Sequence, residues 1–259
     1  PSGKSVTFST PDADGNLQPV DSNLCLECHQ GRESGASVTA ALRGKDVDTV
    51  DAKIGFKNVH YFAAGATLFG ADAAGLYQYP DKEYATRNLH GDGNLAGPQQ
   101  CTECHNTHAL TVQIDTCEQC HKNVKSVEDL QDIRVSETDF DGDGDVTEGI
   151  SAEFATFQER LYAAIQKYAA DKGTGIVYNA AAYPYFFVDA NGDGEADKND
   201  KGGSIGYNAF TPRLLEAAYN YQYSVKDPGA FAHNAKYVMQ VLFDSIQDLK
   251  GDVSGLTRP

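Results

Sequence analysis

All six cysteines of this chain fall into copies of one pattern: Cys25-Leu-Glu-Cys28-His29, Cys101-Thr-Glu-Cys104-His105 and Cys117-Glu-Gln-Cys120-His121. If the seven histidines were scattered at random, all three pairs would be followed by one about once in fifty thousand shuffles. Two thiols at this spacing, followed by an imidazole, suit covalent attachment of a c-type haem. The thiols add to the vinyl groups, and the histidine ligates the iron from one face. Disulfides within such pairs would make small strained redox loops and give the histidine no task. Zinc sites repeat CxxC or HxxxH pairs without a fixed histidine at the next position. The expectation is three covalent haems c, with His29, His105 and His121 as proximal ligands. Because such attachment takes place outside the bacterial cytoplasm, the expected location is the periplasm or the cell surface.

Four histidines remain for the opposite faces: His60, His90, His108 and His233. Four candidates for three irons permit bis-histidine coordination throughout, which closes the metal to substrate and favours electron transfer over catalysis. His108 follows His105 by three residues, too short a segment to wrap round a macrocycle and grip the same iron, so it is expected to serve a different haem. His60 lies among Gly, Ala and aromatic residues that suit a flat macrocycle, and His90 precedes a Gly-Asp-Gly-Asn loop. The expected distal set is His60, His90 and His108. His233 follows Asp227-Pro-Gly at the start of the last helix, where capping or packing explains it as well. Met239, the only methionine, recurs at helical spacing with Val238, Leu242 and Ile246 and is read as core.

Two acidic loops match the oxygen-rich turns that hold a hard cation. Asp139, Asp141, Asp143 and Asp145 alternate around Gly144, with Glu148 or Glu153 replacing the usual last ligand, because Ile150 holds that place. Asp189, Asn191, Asp193, Glu195 and Asp200 form the second set. One or two structural calcium ions are expected, although Asp and Gly favour such turns in any case.

These groups sit in a chain of two unlike halves. Residues 1–125 are expected to be a triheme domain cored by porphyrin, starting with an irregular arm over 1–20 broken by Pro11, Gly15 and Pro19. Residues 126–259 hold no cysteine and read as a haem-free, mainly helical domain. Phe154, Phe157, Leu161, Ile165 and Tyr168 predict a helix over 151–171, stopped by Gly173. Thr211-Pro212 opens a second, and a third runs from about 233 to 250. Strand-like runs at 176–178 and 185–188 predict a small ribbon. The fold class is therefore mainly α with much irregular structure. With 259 residues and a net charge of -16, the chain needs no cysteine to support its core, and its acidity argues against nucleic acid or an anionic membrane as partner. No apolar run reaches the roughly 20 residues of a membrane span, and Pro1 opens no leader, so a processed, soluble form is expected.

The Cys25–Ser34 run, the segment His60-Tyr-Phe-Ala-Ala-Gly-Ala-Thr-Leu-Phe69 and Ala230-Phe-Ala-His233-Asn234 resemble the multihaem c-type cytochromes of metal-reducing and related anaerobic bacteria. The resemblance covers most of the chain. It implies low-potential bis-histidine haems that carry electrons through the periplasm or across the cell surface, with redox proteins or extracellular acceptors as partners. Some members polymerise into conductive filaments, so head-to-tail self-assembly joins the expectations. Two other classes stay open: a haem reductase acting on a small nitrogen or sulfur oxyanion through an open iron, and a calcium-stabilised surface scaffold.

Overall fold

The structure, a computed structural model, describes residues 3–91 and 97–259. Strand β1 (Ser9–Pro11) pairs antiparallel with β2 (Leu17–Pro19), with Ser9 opposite Pro19. A short hairpin thus stands where an irregular arm is expected. The Asp12 carboxylate accepts the backbone N–H groups of Asp14 and Asn16, and Gly15 takes the left-handed turn at φ 83°. Pro11 and Pro19 end the strands, where a missing N–H costs least.

Helices α1 (Asn23–His29), α2 (Gly35–Leu42) and α3 (Ala64–Phe69) follow. A 3-10 turn (Gly70–Asp72) continues α3, and the chain is then irregular to residue 91. Then come α4 (Cys101–Cys104), the two-residue ladder of β3 (His105–Asn106) and β4 (Thr111–Val112), and α5 (Ile114–Glu118). The C-terminal half holds α6 (Ile150–Asp171), β5 (Ile176–Tyr178) paired antiparallel with β6 (Phe186–Val188), α7 (Pro212–Lys226) and α8 (Ala230–Asp248). The fold is mainly α with small ribbons, as expected.

The three long helices pack on one another through the stripes that the periodicity marks. Phe157, Leu161 and Ile165 of α6, Leu214, Leu215 and Ala218 of α7, and Val238, Met239, Leu242 and Ile246 of α8 are buried together. Met239 is core, not a ligand facing a motif. Thr211 caps α7, its Oγ1 accepting the Leu214 N–H at 3.1 Å.

The apolar core does not stop at residue 125; it continues through Leu76, Ala66, Val59, Val38 and Leu26 to Phe8. Hydrogen bonds join the halves as well. Buried irregular backbone must find partners, and α7 and α8 supply them as side chains. Asn220 accepts the Tyr77 N–H at 2.8 Å and donates to its carbonyl at 3.0 Å. Gln222 accepts from Val59 N at 3.0 Å and Gln240 from Ala85 N at 2.7 Å. Tyr219 donates to the Gly75 carbonyl at 2.8 Å. The helical half is thus a template on which residues 59–88 are laid out, and those residues lead directly to His90. Among the described residues no helix is long and apolar enough to cross a membrane.

Candidate haem-binding sites

Each Cys-x-x-Cys-His segment lies on or beside one turn of helix. Cys25, Cys28 and His29 are in α1; Cys101 and Cys104 are α4, with His105 next; Cys117 is in α5, and His121 N donates to Cys117 O at 2.9 Å. Helical spacing puts residues three and four apart on one face, so in α1 the sulfurs of Cys25 and Cys28 and the imidazole of His29 address the same side. The first turn is fixed by close packing against α3. A Cβ on Gly65 would fall 2.5 Å from Leu26 Cδ2 and 3.0 Å from the His29 carbonyl oxygen, so only glycine lets α3 approach α1 this closely. The second turn is held by Glu103, whose carboxylate accepts the N–H groups of Gln99 and Gln100.

The three segments adjoin in a definite order. Cys25 lies beside Cys101, and Ser22 Oγ is 3.3 Å from Thr102 Oγ1, while Cys117 lies beside Cys104. The 101–105 segment is therefore the middle of a row. Burial, followed by the neighbouring Cys25, pushes the Cys101 thiol up to about 11, and burial raises Cys104 and Cys117 as well. These free thiols stand for sulfurs that would be thioethers after attachment, and all six are free.

Two pairs of imidazoles lie in ring contact. The rings of His90 and His121 have centres 6.2 Å apart, and those of His105 and His233 are 6.3 Å apart. A metal–nitrogen bond of about 2 Å on each side, plus about 1 Å from nitrogen to ring centre, separates two trans imidazoles on one ion by roughly 6 Å. Each candidate distal ring rests on a bare glycine: a Cβ on Gly97 would meet His90 Cδ2 at 2.9 Å, and one on Gly229 would meet His233 Cε1 at 2.8 Å. Burial, then the facing histidine, lowers the pKa of both His90 and His105, favouring the neutral imidazole that a metal requires.

Three further observations suit flat apolar groups here. No side chain of α4 or α5 is fully buried. Large apolar side chains stand open around the motifs, with Leu24 79%, Phe62 55% and Leu110 88% exposed. Arg87 has a buried Nε without a partner and donates through Nη2 to the Gln99 carbonyl two residues before Cys101, so it offers a cationic N–H suited to a propionate. The residues present fit haem.

Of the three expected distal histidines, His90 alone has its ring against a proximal one. His60 and His108 are exposed: His60 packs against Tyr61, and His108 lies in the turn between β3 and β4. His105 faces His233, a residue whose place at a helix start also suited capping. The available signal is Asp227, which reaches His233 Nδ1 at 3.0 Å. No ring contact among the described residues joins His29 to a second histidine; its Nδ1 lies 2.7 Å from the Phe62 carbonyl oxygen, leaving Nε2 for a metal.

In the first acidic loop, oxygens of Asp139, Asp141 and Glu153 lie within 4.8 Å of one another, as do those of Asp141, Asp143 and Glu148. Glu153, buried and paired with Arg134, joins the loop from α6. Asp145 instead turns onto Thr147. In the second loop the Asp189 carboxylate accepts N–H groups from Gly192, Asp193 and Gly194. Asn191, Asp193, Glu195 and Asp200 are exposed, and among the described residues they gather into no comparable set.

Helical Cys-x-x-Cys-His turns in a row, with imidazoles brought opposite two of them, are the attributes of a multihaem c-type cytochrome. The chain is indeed related to that family in metal-reducing bacteria. It is 30% identical over 280 aligned positions to the C-type polyheme cytochrome OmcB of Geobacter sulfurreducens, in strains DL-1 / KN400 and ATCC 51573, covering 94% of this chain and 32% of OmcB. The C-type polyheme cytochrome OmcC of the latter strain is also 30% identical, over 94% of this chain and 31% of OmcC. The chain thus spans about a third of the length of these relatives. No family model and no solved structure matches it.

Proposed function

We propose that the chain is an extracytoplasmic electron-transfer module carrying three haems c, attached at Cys25 and Cys28, Cys101 and Cys104, and Cys117 and Cys120. The observation that carries this is the pairing of imidazoles across a metal's span at two of the three attachment sites. The relatives' description as polyheme cytochromes supports it. Each haem, when bound, supplies a one-electron iron couple. The chain's own residues do the rest. His105 and His233 hold the middle site from two halves of the fold, and His121 and His90 hold the last. His29 holds the first, with His60 or His108 as its partner. Histidines on both sides of a bound haem would close its iron to substrate, and sites in contiguous order suit transfer between redox partner proteins or toward an extracellular acceptor.

The first site is where the alternative of a reductase applies, because no ring contact among the described residues joins His29 to a second imidazole. Calcium in the first acidic loop, held by Asp139, Asp141, Asp143, Glu148 and Glu153, is a structural component of this reading, and the Asp189 loop is a weaker second site. Self-assembly end to end is its remaining element, and light scattering of the holoprotein tests it.

Haem quantification with visible and EPR spectra of the purified ferric and ferrous protein tests the function. Three low-spin haems without carbon monoxide binding support the carrier. One high-spin haem in three that binds carbon monoxide moves a reductase at the first site to the front. A protein with haem but no reversible redox response leaves only the scaffold.

A further inference from the structure

The two histidines whose Nδ1 partner is visible differ in what they face. His29 Nδ1 meets a neutral backbone carbonyl, whereas His233 Nδ1 meets a carboxylate, with both Asp227 oxygens at 3.0 and 3.1 Å. The Asp227 side chain is 1% exposed. Its Oδ1 also accepts the Gly229 N–H at 3.2 Å, which fixes the carboxylate at the α7–α8 corner. His233 is itself held from three sides. Asn88 Nδ2 donates to its carbonyl at 2.9 Å, its ring lies on Gly229, and α8 breaks immediately after it. Asn234 makes that break, leaving helical geometry at φ -169° and ψ 72°. Its Nδ2 donates to Thr86 O at 3.0 Å, and its Oδ1 accepts the Tyr237 N–H at 3.1 Å. His233 stands directly before this break, with its ring in contact with that of His105.

We propose that Asp227 is a positioning residue that fixes the His233 ring with Nε2 toward the middle haem site and sets the reduction potential of that site below the value a neutral partner would give. The inference rests on His233 serving as a ligand there. A carboxylate accepting the Nδ1 proton makes the opposite nitrogen a stronger donor, and strong donation favours the ferric over the ferrous state. Burial keeps the Asp227 charge unscreened, and a nearby negative charge acts in the same direction. The geometry therefore makes the middle site electronically distinct from the first.

The test is Asp227→Asn in the full haem-loaded chain, which keeps the shape and one acceptor oxygen but removes the charge. Spectroelectrochemical titration should show one of three potentials raised, so that the ferrous-to-ferric ratio of that haem at fixed potential increases about tenfold, about 59 mV for one electron. Haem content and low-spin spectra should be unchanged. Three unmoved potentials with all haems low-spin would overturn the proposal. If Asp227→Asn loses haem, Asp227→Glu restores the charge. Three haems at the unsubstituted potentials support the proposal, whereas haem loss in both variants assigns Asp227 a purely structural part and overturns it. His233→Ala separates the underlying reading: if every haem stays low-spin, His233 is not a ligand and the failure lies there.

Discussion

The imidazole of His233, at the start of the last helix, lies opposite that of His105, the histidine of the middle Cys-x-x-Cys-His segment, with ring centres 6.3 Å apart. The helical half, which holds no cysteine, therefore closes a site whose attachment points lie in the other half. If His233 holds the middle haem as proposed, perturbing α8 near its break should be felt at that haem.

His90→Ala should convert one haem in three to a high-spin, carbon monoxide-binding form while the other two stay low-spin, because among the described residues His121 is the proximal histidine whose ring His90 contacts. Retention of three low-spin haems in the EPR spectrum would detach His90 from ligation.

Gly229→Ala introduces a methyl group 2.8 Å from His233 Cε1 at a backbone conformation alanine accepts. Either the ring or the α7–α8 corner must move. Overpacking of this kind costs about 1–3 kcal/mol. Denaturation should show the loss, and the spectrum of one haem should shift with it.

Asn220→Leu leaves the N–H and carbonyl of Tyr77 without their partners. Unmet buried groups cost about 1–3 kcal/mol each, so the expected loss for the two is about 2–6 kcal/mol. A loss below 1 kcal/mol in chemical denaturation would mean that water replaces Asn220 at little cost.

Burial raises the Glu216 carboxyl to about 7, with Asp248 pushing in the same direction and hydrogen bonding from Tyr77 and the charge of Arg213 opposing it. The fold favours the protonated form, so this group's stabilisation is complete below the unfolded value near 4.5 and is lost as pH rises toward 7. The slope is at most about 1.4 kcal/mol per pH unit across that window. Glu216→Gln should flatten it in denaturation curves taken from pH 4.5 to 7.5.

Much of this was legible in the sequence. The long helices follow from apolar residues at three- and four-residue intervals, and the Thr211 cap sits where Thr-Pro places it. The three attachment segments need only their spacing. The partner of His105 was not legible, because a ring contact arriving from the other half is a tertiary fact, and a histidine after Asp-Pro-Gly serves equally as a cap. His108 shows the converse: its closeness to a motif argues against the same iron without naming another. The arm over 1–20 hid a hairpin because its prolines lie at strand ends, where pairing tolerates them. The conformation of residues 59–88 has no local signature, since it is imposed by Asn220, Gln222 and Gln240 from distant helices.

The spin state of His233→Ala beside His108→Ala is the most direct measurement of how the sites are held. EPR of the ferric proteins should show His233→Ala with one high-spin haem, its reduced form binding one carbon monoxide per chain, and His108→Ala with the middle haem still low-spin. The opposite pattern, with His233→Ala fully low-spin and the middle haem opened by His108→Ala, would contradict the account.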